Sequence, residues 1–326
     1  MNSIEICAGG GGQALGLEQA GFGHIDLVEF EAQACATLRL NRPDWRVIEG
    51  DVRKYSAAHL KGIELIAGGV PCPPFSHAGK QLGADDERDM FPEALRLVEE
   101  SNPEAVMLEN VRGLLDPRFE DYRNSVLAVL KKLGYQAEWK LLHASDFGVP
   151  QLRPRSILIG LKRDIAQHFS WPEAGLIKTP LVGDVLFDLM AADGWKGAKV
   201  WRSKAQSIAP TLVGGSKKHG GPDLGPTRAR KAWEALSVDG RSLADAPPLK
   251  DFEGMPRLTV DMAARIQGFP DSWKISGRKT AAYRQVGNAF PPPVAKAVGE
   301  RIRAAINSAA AKKVNKRTRV IVAETV

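Results

Sequence analysis

Three short stretches carry residue types that do chemistry. Gly68-Gly69-Val70-Pro71-Cys72-Pro73-Pro74-Phe75-Ser76 follows a short apolar run. A thiol between prolines at the carboxyl end of a strand is held at the mouth of the sheet, where open α/β sheets take their ligands. Its thiolate is a nucleophile. A lone cysteine is more often a small core residue. Cys7 and Cys35 fit that role, but a proline-locked loop after glycines does not suit it. Met107-Leu108-Glu109-Asn110-Val111-Arg112-Gly113 ends the next apolar run with a carboxylate, Glu109. Beside Cys72 it makes a nucleophile and acid/base pair. In Gly148-Val149-Pro150-Gln151-Leu152-Arg153-Pro154-Arg155, two arginines stand one residue apart. In extended chain, Arg153 and Arg155 face the same side. They then form a fork for a phosphate or a base carbonyl, with surface ion pairing as the plainer alternative.

A glycine run, Ala8-Gly9-Gly10-Gly11-Gly12, follows Ile4-Glu5-Ile6-Cys7. Placed between a strand and a helix, it lets backbone N–H groups approach a ligand closely. Gly9-x-Gly11-x-x-Ala14 fits a loose dinucleotide fingerprint, and Glu29 lies twenty residues after Gly9. An acidic residue there binds ribose hydroxyls. Asp51, after the following strand, can do similar work on an adenine. A tight turn in an unrelated α/β domain remains the alternative for the glycines alone. With Glu29 and Asp51 at successive strand ends, a nucleoside cofactor is the better reading.

These residues need a scaffold, and the apolar patterning supplies one. Strands are expected at Ser3–Ile6, Ile25–Glu29, Val47–Glu49, Leu65–Gly68, Ala105–Leu108, Ala137–Leu142 and Ser156–Gly160. Helices are expected at Gln13–Ala20, Ala32–Leu40, Phe91–Glu100, Phe119–Leu133 and Val294–Ile306. Such alternation implies an α/β fold with a doubly wound, mostly parallel sheet. The rhythm stops near Leu161. Pro/Gly-rich, basic and aromatic stretches follow, with Trp171, Trp195, Trp201 and Trp233 inside them and Trp273 at their edge. The expected organisation is a catalytic and cofactor-binding domain (1–165), a smaller irregular domain (166–275), a segment returning to the first domain (276–308) and a basic tail (309–326) that frays.

The chain has 326 residues, with 45 Lys+Arg against 38 Asp+Glu, a formal charge of +7. Hydrophobic residues at 44% and charged residues at 25% are ordinary for a globular protein. A mainly disordered or fibrous chain is excluded. No apolar run reaches the ~18 residues of a membrane span, and the N-terminus lacks a secretory signal; a cytoplasmic protein is expected. Three cysteines without a CxxC spacing disfavour a disulfide framework or a paired-cysteine zinc site; no metal is expected. The charge is uneven. Between 201 and 235, Arg202, Lys204, Lys217, Lys218, Arg228, Arg230 and Lys231 outnumber Asp223 and Glu234. After Ala309, five basic residues stand against Glu324. The remaining body is mildly acidic. Two basic segments on such a body suggest a polyanion partner; the tail alone fits a solvated extension.

The glycine loop, Pro-Cys-Pro-Pro-Phe-Ser, Glu-Asn-Val, Gln-Leu-Arg-Pro-Arg and Gln285-Val286-Gly287-Asn288-Ala289-Phe290 occur in this order. Together they resemble the DNA (cytosine-5) methyltransferases of bacterial restriction-modification type, over residues 1–161 and about 200–305. The resemblance implies a Rossmann-like methyltransferase fold and S-adenosyl-L-methionine as cofactor. It places the cofactor against Cys7, Ala8, Gly9, Gly11 and Asn288, its ribose on Glu29, its adenine by Phe30, Asp51 and Val52, and Pro71 along the wall. It implies that Cys72 adds to C6 of the target cytosine, Glu109 holds N3, Arg155 contacts O2, and Arg153 supports it. It implies double-stranded DNA as substrate, a flipped-out base, and contacts from Ser76, Thr211, Lys217, Lys218, His219, Arg228, Arg230 and Lys231. A restriction endonuclease would be a functional partner, and the enzyme would act as a monomer.

The sequence departs from the family pattern where Cys7 replaces a Phe that would pack on the adenine. The stretch between Gly160 and Ser203 is short, so the recognition region is expected in about residues 212–256. Three other readings stay open. A tRNA cytosine-5 methyltransferase of the same family would typically carry Cys-Phe-Thr, but residues 162–326 contain no cysteine. A nicotinamide-dependent oxidoreductase leaves Cys72, Glu109 and Arg155 unexplained. A catalytically idle DNA-binding relative would not need Cys72 and Glu109.

Overall fold

The computed structural model describes residues 1–71, 89–215 and 221–324, with side chains to residue 313. Cys72, Ser76, Lys217, Lys218 and His219 lie outside the described residues. In chain order the first half runs β1 (Asn2–Ile6), α1 (Gly12–Gln19), β2 (Gly23–Glu29), α2 (Ala32–Asn41), β3 (Val47–Glu49), β4 (Leu65–Gly69), α3 (Phe91–Ser101), β5 (Ala105–Val111), α4 (Glu120–Lys132), β6 (Tyr135–His143) and β7 (Pro154–Lys162). Every expected strand and helix of this half is present, displaced by at most a few residues at its ends.

Among the described residues, seven strands form one sheet in the order β3-β2-β1-β4-β5-β7-β6. The first five are parallel, and β7 runs antiparallel to both β5 and β6. The chain winds outward from β1 to β3, then resumes at β4 on the other side of β1. The carboxyl ends of β1 and β4 therefore flank the switch point where doubly wound sheets bind ligands.

Alternate side chains of each inner strand enter opposite cores, as the two-residue repeat of a strand requires. Ile66, Val106 and Leu108 pack with Phe91, Leu97 and Val98 of α3 and Leu130 of α4. Leu65, Ala67, Ala105 and Met107 pack with Leu17 of α1 and Val294, Val298 and Ile302 of the last helix. Burial on both faces explains why these strands are continuous apolar runs with little alternation.

Beyond the sheet come α5 (Arg163–Ala166), α6 (Val182–Met190), α7 (Ala198–Lys204), α8 (Thr227–Glu234), α9 (Val260–Gln267), α10 (Lys279–Asn288) and α11 (Pro292–Glu324). Trp195, Trp201 and Trp233 fill a third core, which also takes in Leu27 of β2 and Leu38 of α2. The tail expected to fray is instead helical backbone continuous with α11 as far as Glu324. No helix among the described residues is long and apolar enough to cross a membrane.

Candidate active site

The glycine loop leaves β1 at the switch point. Cys7 takes a left-handed φ of 52° and Gly9 one of 55°. A Cβ at Gly9 would meet nothing within 4 Å, so the loop is open there. The Glu29 carboxylate, at the end of β2, fixes this turn: one oxygen accepts the Gly9 N–H at 2.7 Å and the other the Glu31 N–H at 2.7 Å. A carboxylate has about four lone-pair sites, so each oxygen can still accept a hydroxyl. Burial pushes the Glu29 pKa up, and the N–H groups offset this in part. Asp51 and Val52 follow β3, with Val52 buried. Both Asp51 oxygens accept from the Arg53 guanidinium, and Oδ1 accepts the Arg53 N–H. Any ligand donor at Asp51 would share that carboxylate with Arg53. Phe30 is 66% exposed, and Ala8 is buried with its N–H on Val28 O. Burial, followed by the charges of Glu29, Asp51 and Glu5, pushes the Cys7 thiol far up. The thiol therefore stays neutral near pH 7.

The other glycines face protein. At Gly11, with φ of 85°, a Cβ would stand 2.7 Å from both Leu38 Cδ2 and Trp273 Cζ2. Trp273 Nε1 donates to Gly10 O at 3.0 Å. A Cβ at Gly10 would meet Gln285, and one at Gly12 would meet Phe290 O and Ala289. Gln285 Oε1 also accepts from Thr37 of α2 at 2.6 Å. The segment 273–290 thus forms the back wall of the loop. Asn288, the last residue of α10, donates to Gly215 O at 3.2 Å, so it lies where the chain leaves the 211–215 stretch. Trp273 and Gln285 were not singled out by their own chemistry in the sequence. The Gly-Phe-Pro-Asp-Ser-Trp stretch offered only a large aromatic at a boundary.

The catalytic candidates gather one strand away. Gly69 of β4 pairs in register with Glu109 of β5. A Cβ at Gly69 would lie 3.3 Å from Glu109 Oε2. Glu109 is 7% exposed and forms an ion pair with Arg155 of β7, Oε1 lying 2.7 Å from Nε. Burial raises the Glu109 pKa, while Arg155 and then Arg153 pull it back. Asn110 donates to Val70 O at 2.8 Å, and Met90 N–H bonds to Pro71 O at 3.2 Å. These bonds anchor the entry to the Pro71-Cys72 loop. Asn110 is a further residue that the sequence named without assigning it work. Pro71 itself is exposed.

The paired arginines part company. Arg155 faces Glu109. Arg153, fully buried, instead donates to Leu212 O at 2.8 Å, Gly287 O at 2.8 Å and Ala289 O at 3.0 Å. The expected common fork is therefore corrected. Pro154 opens β7 and Arg153 precedes it, so the strand geometry that would align them does not extend to Arg153. Arg153 is a strut joining β7 to the 212 segment and to the end of α10. Gln151 supports the same joint by accepting the Leu212 N–H and donating to Gln267 Oε1 at 2.7 Å.

Thr211 donates its hydroxyl to Leu152 O, which fixes the 211 segment against the strand entry. Arg228, Arg230 and Lys231 lie together on α8, with Arg228 and Lys231 exposed. Among the described residues no group of three or more His, Cys, Asp and Glu could hold a metal ion.

Comparison with known proteins places this arrangement. The C-5 cytosine-specific DNA methylase family matches residues 1–304. The Type II methyltransferase M.NaeI of Lentzea aerocolonigenes is 60% identical over 94% of this chain and 76% of its own length. The Type II methyltransferase M.NgoMIV of Neisseria gonorrhoeae is 57% identical over 93% of this chain and 97% of its own. In fold, the S. pombe Dnmt2 methyltransferase superposes with a TM-score of 0.61 at 19% identity, covering 94% of this chain and 99% of that one.

Proposed function

The chain belongs to the C-5 cytosine-specific DNA methylase family, and from that premise we propose that it methylates C5 of a flipped-out cytosine in a specific duplex DNA sequence, using S-adenosylmethionine. The oxidoreductase reading of the glycine loop gives way to this membership. The observation that carries the proposal is the buried Glu109–Arg155 pair across from Gly69. Three residues further along the chain stands Cys72.

The open Gly9 face, Glu29 and Asp51 suit a cofactor bearing a ribose and an adenine. Cys7, Ala8, Gly11, Phe30, Val52, Pro71 and Asn288 complete the proposed lining. When bound, S-adenosylmethionine supplies an electrophilic methyl group to an electron-rich C5. Cytosine C5 is a weak nucleophile until the Cys72 thiolate adds to C6. Glu109 in its protonated form donates to N3 and offsets the charge developing in the ring. Its burial favours that form. Arg155, already bonded to Glu109, has guanidinium donors left for the O2 oxygen. Arg153 acts at a distance, by holding β7 against the 212 and 287–289 segments. Loss of the C5 proton then lets the Cys72–C6 bond break and returns the thiolate.

The target base sits inside a duplex and must be extruded at a cost of a few kcal/mol. Contacts from Ser76, Thr211, Lys217, Lys218, His219, Arg228, Arg230 and Lys231 would offset that cost. The Type II names of the relatives support a role in shielding host DNA from a partner restriction endonuclease. A monomer acting on DNA in the cytoplasm completes the proposal. The test is incubation of the protein with duplex DNA and S-adenosylmethionine, followed by nucleoside mass spectrometry. 5-Methylcytosine should appear with the wild type and not with Cys72→Ala, while the variant still binds cofactor. Product from the variant would remove Cys72 from the mechanism.

A further inference from the structure

Outside the catalytic crevice, one cluster of charge is built with unusual economy. Asp239 lies between α8 and α9 with its side chain 8% exposed. Its Oδ1 accepts the Arg241 N–H at 3.0 Å and Arg241 Nε at 2.9 Å. Its Oδ2 accepts Arg241 Nη2 at 3.2 Å and Arg257 Nε at 3.0 Å. Four donors converge on one carboxylate, and the Arg241 contacts hold its pKa far below the usual range. Asp239 stays ionised and gripped between two cations.

The arginines are not consumed by this grip. Their side chains are 70% and 47% exposed. Arg241 binds Asp239 through its Nε–Nη2 side, and Arg257 through Nε. The Nη1 donors of Arg241, and both Nη groups of Arg257, take no hydrogen bond among the described residues. A carboxylate buttress of this kind removes the rotational freedom of a long side chain and aims its free end outward. A planar guanidinium end with two parallel N–H donors matches the O6 and N7 acceptors of guanine in the major groove.

The position of the cluster suits that use. Leu224 N–H bonds to Gly240 O at 3.0 Å, and Leu243 N–H bonds to Pro222 O. The cluster therefore packs on residues 222–224, which continue the stretch leaving Gly214 and Gly215 at Asn288. Gly225 comes back to within 3.8 Å of Val213 if given a Cβ. A Cβ at Gly240 would meet Arg230 at 3.2 Å, so α8 lies alongside.

We propose that Arg241 and Arg257, aimed by Asp239, read guanine edges in the target sequence. The proposal rests on the DNA methyltransferase reading above and adds specificity residues to it. Neither arginine belongs to the basic segment marked out by charge density in the sequence, because Asp239 and its neighbours cancel their charge locally.

The test begins with the wild type, whose target is read by sequencing the DNA it methylates. kcat/KM is then measured for Arg241→Gln, Arg257→Gln and Asp239→Asn on that duplex and on duplexes with each G·C pair replaced. Thermal midpoints and cofactor affinity confirm that the variants are folded. Each arginine variant should lose roughly 5- to 150-fold on the intact target. Discrimination at one G·C position should collapse towards parity, and Asp239→Asn should weaken the same positions to a smaller extent. Unchanged discrimination at every position overturns the assignment. So does a loss seen only as a shallower salt dependence, the mark of a phosphate contact. A wild type that methylates no duplex at all would instead overturn the parent reading.

Discussion

Arg155 Nε lies 2.7 Å from Glu109 Oε1, joining β7 to β5 through two largely buried side chains beside the end of β4. The ion pair opposes the burial that raises the Glu109 pKa. If Arg155 also meets the base as proposed, it pairs with Glu109 and serves the substrate at once, and substitution at each partner tests this. Arg155→Ala should reduce kcat by about 100-fold or more, in line with the loss of one charge-stabilising donor, and leave cofactor affinity within about twofold. Glu109→Gln keeps a donor for N3 but cannot change protonation. Its residual activity should lose any alkaline limb that the wild type owes to Glu109. A wild-type limb retained unchanged in Glu109→Gln would assign that titration elsewhere.

The glycine loop divides into an open half and a packed half. Gly11→Ala combines a left-handed φ with overlaps of 2.7 Å on Leu38 and Trp273. It should cost on the order of 1–3 kcal/mol of stability, visible as a lower denaturation midpoint. Trp273→Phe keeps the ring but loses the bond to Gly10 O. It should weaken cofactor binding in calorimetry more than it lowers stability. Equal cofactor affinity would mean that the wall does not shape the loop.

Arg153 is expected to behave as a strut. Arg153→Ala leaves the carbonyls of Leu212 and Gly287 without their side-chain donor, while Ala289 O keeps the Gln267 amide. With about 1–3 kcal/mol for each buried group left unpaired, the loss should reach ~2 kcal/mol or more in chemical denaturation. A variant that is fully stable but inactive would make Arg153 a direct participant at the substrate.

The sheet was legible because both-face burial writes β4 and β5 largely as apolar runs. Glu109 and Glu29 were legible as strand-end carboxylates because the ends of β5 and β2 can be counted from the apolar patterning. Arg153 was misplaced because its partners at 212, 287 and 289 are distant in sequence and leave no local period. Trp273 escaped for the same reason: its bond to Gly10 O exists only once remote segments meet. The helical continuation of α11 past Ala309 was masked by the basic composition of that stretch.

Glu5 of β1 gives a pH-dependent signature. It is 1% exposed, and neither oxygen has a hydrogen-bond partner among the described residues. Burial raises its pKa well above the usual carboxylate value. A raised folded-state pKa contributes stability that is full below the unfolded value and is lost as pH rises through the folded one. Compared with Glu5→Gln, the wild type should lose up to ~1.4 kcal/mol per pH unit above the ordinary glutamate range. Parallel stability curves for the two proteins would show that Glu5 ionises freely in the fold.

The central claim is methyl transfer to DNA cytosine through Cys72. Bisulfite sequencing of plasmid DNA from cells expressing the chain tests it most directly. Wild-type protein should leave cytosines unconverted at one fixed position of one recurring sequence, and Cys72→Ala should leave none. Complete conversion of plasmid from cells containing folded, cofactor-binding wild-type protein would contradict the account.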